Sequence, residues 1–154
     1  MAGRGCILAL AMLAACAATP STPQRFAFVV EVGLSPRATA QLAATGGGLI
    51  VLASYYGVPK QAGQANPVSQ VASESVLVPG AGAAHLTGAG LTREALDRLA
   101  GPPFVNVNVA AELSSPDNLL VCDYFDGPLA RATAGPVLLR CALAEEKAEA
   151  QAKS

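Results

Sequence analysis

Side chains able to do chemistry are few in this chain. One histidine, His85, and four cysteines stand among 154 residues, with no tryptophan. Imidazole is the side chain that changes charge near neutral pH and the commonest metal ligand, so a lone histidine removes most acid–base and metal chemistry at the outset. A blue-copper centre needs two histidines, a cysteine and usually an axial methionine. Here the only methionines are Met1 and Met12, at the extreme N-terminus. Haem attachment fails for want of a C-x-x-C-H motif. Cys122, Cys141 and His85 do not follow a zinc-ligand spacing. Gly80-Ala81-Gly82 and Gly88-Ala89-Gly90 lack the further glycine and basic residue of a phosphate loop and read as turns. No G-x-S-x-G elbow occurs. Asp117, Asp123 and Asp126, with Asn118, are the one acidic group near an apolar segment, and such carboxylates can hold calcium or share acid–base work. Asp117 follows Pro116 and Asp126 precedes Gly127-Pro128, so turn chemistry accounts for two of the three. No metal, cofactor or catalytic residue is assigned, and the chain reads as a non-enzyme.

The chemistry that does stand out is at the N-terminus. Arg4 precedes an uninterrupted apolar run at residues 6–15, CILALAMLAA. That run is well short of the ~20 residues a helix needs to span a bilayer, and it suits the apolar region of an export signal. It ends at Leu13-Ala14-Ala15-Cys16, which resembles the bacterial lipobox. The resemblance implies cleavage before Cys16, a diacylglyceryl group on its thiol and a mature N-terminus there. Two or more acyl chains anchor stably where one is marginal. With Ala17 rather than Asp after the cysteine, the resemblance implies the outer membrane, with the domain facing the periplasm. The plainer alternative is an export signal with a chance cysteine. Residues 17–24, AATPSTPQ, make an extended tether.

Four units follow: a signal peptide at 1–15, anchor and tether at 16–24, a folded domain at 25–144 and a charged flexible tail at 145–154, either frayed helix or disordered. Cys122 and Cys141 remain in the domain. Export to an oxidising envelope makes a disulfide their default, and closing a loop of about 20 residues constrains the unfolded chain by roughly 3 kcal/mol. A redox-active pair would want a C-x-x-C spacing and a nearby cation.

The positioning elements are mostly strands. Residues 26–33 alternate, with Phe26, Phe28, Val30 and Val32 on one face and Glu31 on the other. Ser35-Pro36 reads as a helix cap followed by proline at the first helical position, and the helix ends at Gly46-Gly47-Gly48. Residues 49–56 form an apolar central strand, and residues 74–78 and 83–87 a hairpin about Pro79-Gly80-Ala81-Gly82. A second helix at 91–100 is capped by Thr92. Residues 104–110 put Val105, Val107 and Val109 inward and Asn106 and Asn108 outward, and the last strands are 118–125 and 137–143. The segments at 34–42 and 91–99 look alike, either as an internal duplication or as two uses of the same punctuation. The expected fold is mainly β: an immunoglobulin-like or Greek-key β-sandwich of about seven strands with two short connecting helices.

Composition narrows the partners. Hydrophobic residues are 52%, charged residues 14% and the net charge −1, which argues against a disordered chain. A near-neutral balance without a basic stripe argues against nucleic acid. The stretch from Val32 onward, VGLSPRATAQLAATGGGLIVLASYYG, is similar to the C-terminal periplasmic domain of CycH-type cytochrome c biogenesis proteins. GPPFVNVNV and SSPDNLLVCDYFDGPL resemble segments of small uncharacterised proteobacterial envelope lipoproteins. The first resemblance implies a Greek-key sandwich and a chaperone-like or assembly role, although the helical repeats by which that family holds apocytochrome are missing. Tyr55, Tyr56, Tyr124 and Phe125 are the aromatic side chains able to form an interaction patch. The expectation is a lipid-anchored envelope protein that binds or supports another envelope protein. The alternative is an inhibitor or small-ligand binder presenting a loop at 57–67 or 125–135.

Overall fold

A computed structural model describes residues 25–61, 68–112 and 120–153. Period-two alternation drives the architecture, because each strand has one apolar face to bury. Eight strands form: β1 (Phe28–Leu34), β2 (Leu49–Gly57), β3 (Ser69–Val78), β4 (Gly82–Leu86), β5 (Phe104–Ala111), β6 (Leu120–Cys122), β7 (Phe125–Pro128) and β8 (Val137–Leu143). Four short helices accompany them: α1 (Pro36–Thr45), α2 (Arg93–Asp97), α3 (Leu129–Thr133) and α4 (Ala144–Gln151). The strands make two four-stranded sheets, a first in the order β4-β1-β8-β6 and a second in the order β3-β2-β5-β7. The core between them includes Val30, Leu49, Val51, Tyr55, Leu86, Val105 and Val107, all essentially inaccessible. The β-sandwich expected from the sequence is therefore the observed fold.

Its details differ from expectation in three places. The single strand expected at 118–125 is two, β6 in the first sheet and β7 in the second, because the chain changes sheet at Asp123 and Tyr124. Asp123 ends β6 by donating its N–H to the Arg140 carbonyl (2.8 Å) and accepting the Arg140 N–H on its carboxylate (3.3 Å). The expected hairpin at 74–87 is a corner, since β3 and β4 belong to different sheets. Residues 129–133, expected within a loop, form α3, whose Leu129 and Ala132 enter the core. Of the two readings of the charged tail, the helical one holds: α4 runs as far as Gln151. Glu146 accepts the Leu143 N–H (2.8 Å) and the Ser35 hydroxyl (2.6 Å), and Arg37 on α1 pairs with Glu145 (3.1 Å) and Glu149 (3.3 Å).

Only the β2–β3 connection stays within a sheet; every other connection crosses the sandwich. The two look-alike segments behave alike. Ser35 Oγ accepts the Ala38 N–H and Thr92 Oγ1 accepts the Ala95 N–H, so each helix begins on a side-chain cap. Each leads from the first sheet to the second, and β1 lies antiparallel to β4 as β2 does to β5. That is the arrangement a two-fold axis would produce.

Candidate functional site

Along β2, Leu49, Val51, Ala53 and Tyr55 are buried, so Ile50, Leu52, Ser54 and Tyr56 face away from the core. Register sets their neighbours. Leu77 and Ala110 flank Ile50, Ser75 and Asn108 flank Leu52, Ser73 and Asn106 flank Ser54, and Gln70 and Phe104 flank Tyr56. This outer face of the second sheet carries no lysine, arginine or glutamate along β2, β3 or β5. Leu77 is 59% and Leu52 42% exposed. The face thus grades from aliphatic beside α1, through amide and hydroxyl, to aromatic at its far end.

The aromatic end is held in place. Tyr56 and Phe104 stack with ring centroids 5.7 Å apart. The Tyr56 hydroxyl donates to Asp126, which stands across from Asn106 on β7. That hydrogen bond, with burial and the carboxylate's charge, pushes the phenol up to about 12, so Tyr56 stays a neutral donor. Asn108 Nδ2 donates to Asn106 Oδ1 beside it. The outer face of the first sheet is ordinary by comparison, with exposed Glu31, His85 and Arg140.

The four aromatic residues singled out in the sequence do not form one patch. Tyr55 is fully buried, its hydroxyl donating to Glu74 (3.2 Å), and it leaves the candidate surface because β2 alternation turns it into the core. Phe125 also faces inward, opposite Val107, with the Arg131 guanidinium over its ring at 5.7 Å. Tyr124 is 68% exposed on the link between β6 and β7. Only Tyr56 stays on the outer face of the second sheet, joined there by Phe104, which the sequence reading placed on a strand and assigned no role.

The acidic group is likewise divided. Asp123 is on the first-sheet side with Lys147 (3.4 Å) and Asp126 is on the second sheet; Asp117 and Asn118 lie outside the described residues, as does Cys16. Among the described residues no cluster of three or more metal-ligating side chains forms. His85 is exposed on β4. Cys122 and Cys141 are paired directly across β6 and β8, with their sulfur atoms bonded at 1.99 Å.

Glu74 is the residue that the sequence reading passed over. It takes an inward position on β3 between Ala72 and Val76, where alternation calls for an apolar side chain. Its carboxylate accepts the Thr87 N–H (2.8 Å), the Thr87 hydroxyl (2.8 Å), the Gly88 N–H (2.9 Å) and the Tyr55 hydroxyl. Burial pushes this carboxyl up, but the four hydrogen bonds outweigh it and hold the group below its usual range. An acid breaking the apolar phase of a strand was the available signal.

An apolar cleft of about 490 Å³ opens at the α1 end, lined by Leu34, Leu42, Leu77 and Pro79 with Glu112 at its edge. Among the described residues no helix is long and apolar enough to cross a membrane. Comparison of the chain with protein-family models, with curated proteins and with solved structures gave no match.

Proposed function

We propose that this is a lipid-anchored envelope protein of non-enzymatic type, tethered through Cys16 and presenting the outer face of its second sheet to another envelope protein. The observation that carries the reading is that face: without basic side chains along β2, β3 and β5, aliphatic at Leu77 and Leu52 and aromatic at Tyr56 and Phe104. Protein-binding surfaces are depleted in charge and enriched in aromatic side chains at their centre. The lipobox-like LAAC and the Pro/Thr/Ser tether support attachment, with the outer membrane favoured by Ala17.

Photo-crosslinking from position 52 in intact envelope, followed by capture of the tagged protein, tests the binding face. A discrete crosslinked partner is expected, and its loss in Leu77→Asp with the fold intact. No adduct from position 52, or an equal adduct from Leu138 on the other sheet, overturns the reading. Membrane fractionation tests the tether: Cys16→Ser releases the protein or leaves it unprocessed, and unchanged fractionation removes the anchor.

The cleft at the α1 end favours a second reading, a small-ligand-binding lipoprotein, because its volume suits a compact apolar ligand. The loop-presenting version is weaker, since residues 125–135 are mostly β7 and α3 rather than a free loop. Residues 62–67 of the other loop lie outside the described residues.

A further inference from the structure

The two ends of the sandwich differ in charge. Leu34, Gly48, Leu77, Pro79 and Glu112 line one cleft, which places the end of β1, the start of β2 and the end of β3 together at the α1 end. The opposite end therefore holds the start of β1, where the tether enters at Arg25, and the end of β2 at Gly57. There Lys60 and Arg98 are brought together by backbone: the Lys60 N–H donates to the Arg98 carbonyl (2.9 Å) and the Ala100 N–H to the Val58 carbonyl (2.8 Å). Leu99 anchors this bridge, buried against Gly57.

Arg25, Lys60, Arg93, Arg98 and Arg131 are exposed at this end and outnumber its acids, Glu94, Asp97 and Asp126. None of the five enters an ion pair among the described residues; the three ion pairs, Arg37–Glu145, Arg37–Glu149 and Lys147–Asp123, are on the α1 and α4 side. Beside the cations, Val58 is 59% and Val68 44% exposed, where β2 and β3 run out past the Gly57 and Ser69 pair. Unneutralised cations next to projecting aliphatic side chains suit a surface of phosphate headgroups over hydrocarbon, the first by attraction and the second by shallow burial.

We infer that the end bearing Arg25, Lys60 and Arg98 seats on an anionic lipid surface, with Val58 and Val68 entering its interfacial layer. This orientation rests on the tether reading, and it stands the outer face of the second sheet sideways to the membrane, open to a neighbour.

The lysines provide the readout, since Lys60 is at the basic end while Lys147 and Lys153 are at the α4 end. The lipidated full chain is reconstituted on vesicles of phosphatidylcholine alone or with phosphatidylglycerol, and amine labelling is followed at each lysine. Lys60 labelling is expected to slow severalfold on the anionic vesicles, to recover in high salt, and to leave Lys147 and Lys153 unchanged. An Arg25→Gln, Arg98→Gln variant is expected to lose that protection while retaining its fold by circular dichroism. Equal Lys60 labelling on both vesicles, or protection of Lys147 and Lys153 instead, overturns the inference. Flotation separates the two ideas. Protein that floats on both kinds of vesicle with Lys60 as open on anionic as on neutral ones keeps the anchor and sinks the seat. Protein that floats only on anionic vesicles with Lys60 protected keeps the seat and sinks the anchor.

Discussion

Glu74 shows how one misplaced-looking residue ties two sheets. It sits on β3 of the second sheet, and its carboxylate holds Thr87 and Gly88, just beyond the end of β4 in the first. Glu74→Ala leaves these part-buried donors unmatched, an expected cost of ~2 kcal/mol in urea unfolding. The sign of the pH effect follows from the lowered carboxyl. Its contribution is present above the unfolded-state value of 4.5 and is lost as the pH falls through the lower folded value. Wild-type stability should therefore drop in that acid window, and Glu74→Gln should flatten the drop; identical pH profiles would show that the tie is energetically idle. Gly88 is the second residue-scale test. It has φ +65°, and a Cβ there would come within 2.6 Å of the Phe26 Cβ. Gly88→Ala should lower stability by ~2 kcal/mol or more, read as a shift in the urea midpoint. The sequence marked Glu74 only as an acid out of phase in its strand and Gly88 as a turn glycine; their partners come from the other sheet and were not legible.

Strand alternation was legible where neighbours in sequence are also neighbours on one face. The inward sets Val30 with Val32, and Val105, Val107 with Val109, lie in the core as their spacing implied. Both helix caps were equally plain, since Ser35 and Thr92 act on residues three positions away. Connections were not legible, because Pro79-Gly80-Ala81-Gly82 has the composition of a hairpin turn whether its strands pair or part. The outer face of the second sheet was half visible: Asn106 and Asn108 were expected to point outward, but their adjacency to Ser54 and Leu52 depends on register across β2 and β5. The Cys122–Cys141 bond, expected from compartment and counting, secures the three-residue edge strand β6 to β8. Replacing both cysteines with alanine should cost ~2–4 kcal/mol, measured by urea unfolding against the oxidised protein. A smaller cost would mean that the ladder to β8 alone holds that edge.

As a whole the molecule is polar along its length: among the described residues the cations at the Arg25 end enter no ion pair, while helices α1 and α4 at the other end are ion-paired. On the proposed seating, the basic end meets the membrane, the outer face of the second sheet stands lateral to it and helices α1 and α4 point away. The parallel pairing of β1 with β8 adds a constraint on how that arrangement is reached. The first strand lies beside the last, Val30 against Val137 through Leu34 against Cys141, so the middle of the first sheet is missing until residues 137–143 arrive. β1 can pair with β4 earlier, but the first sheet is not complete until nearly all of the chain has emerged, and non-local closure of this kind is slow. Truncation before Val137 should yield a fragment without a cooperative unfolding transition. On the proposed export, late completion of the first sheet would keep the chain threadable while it is translocated.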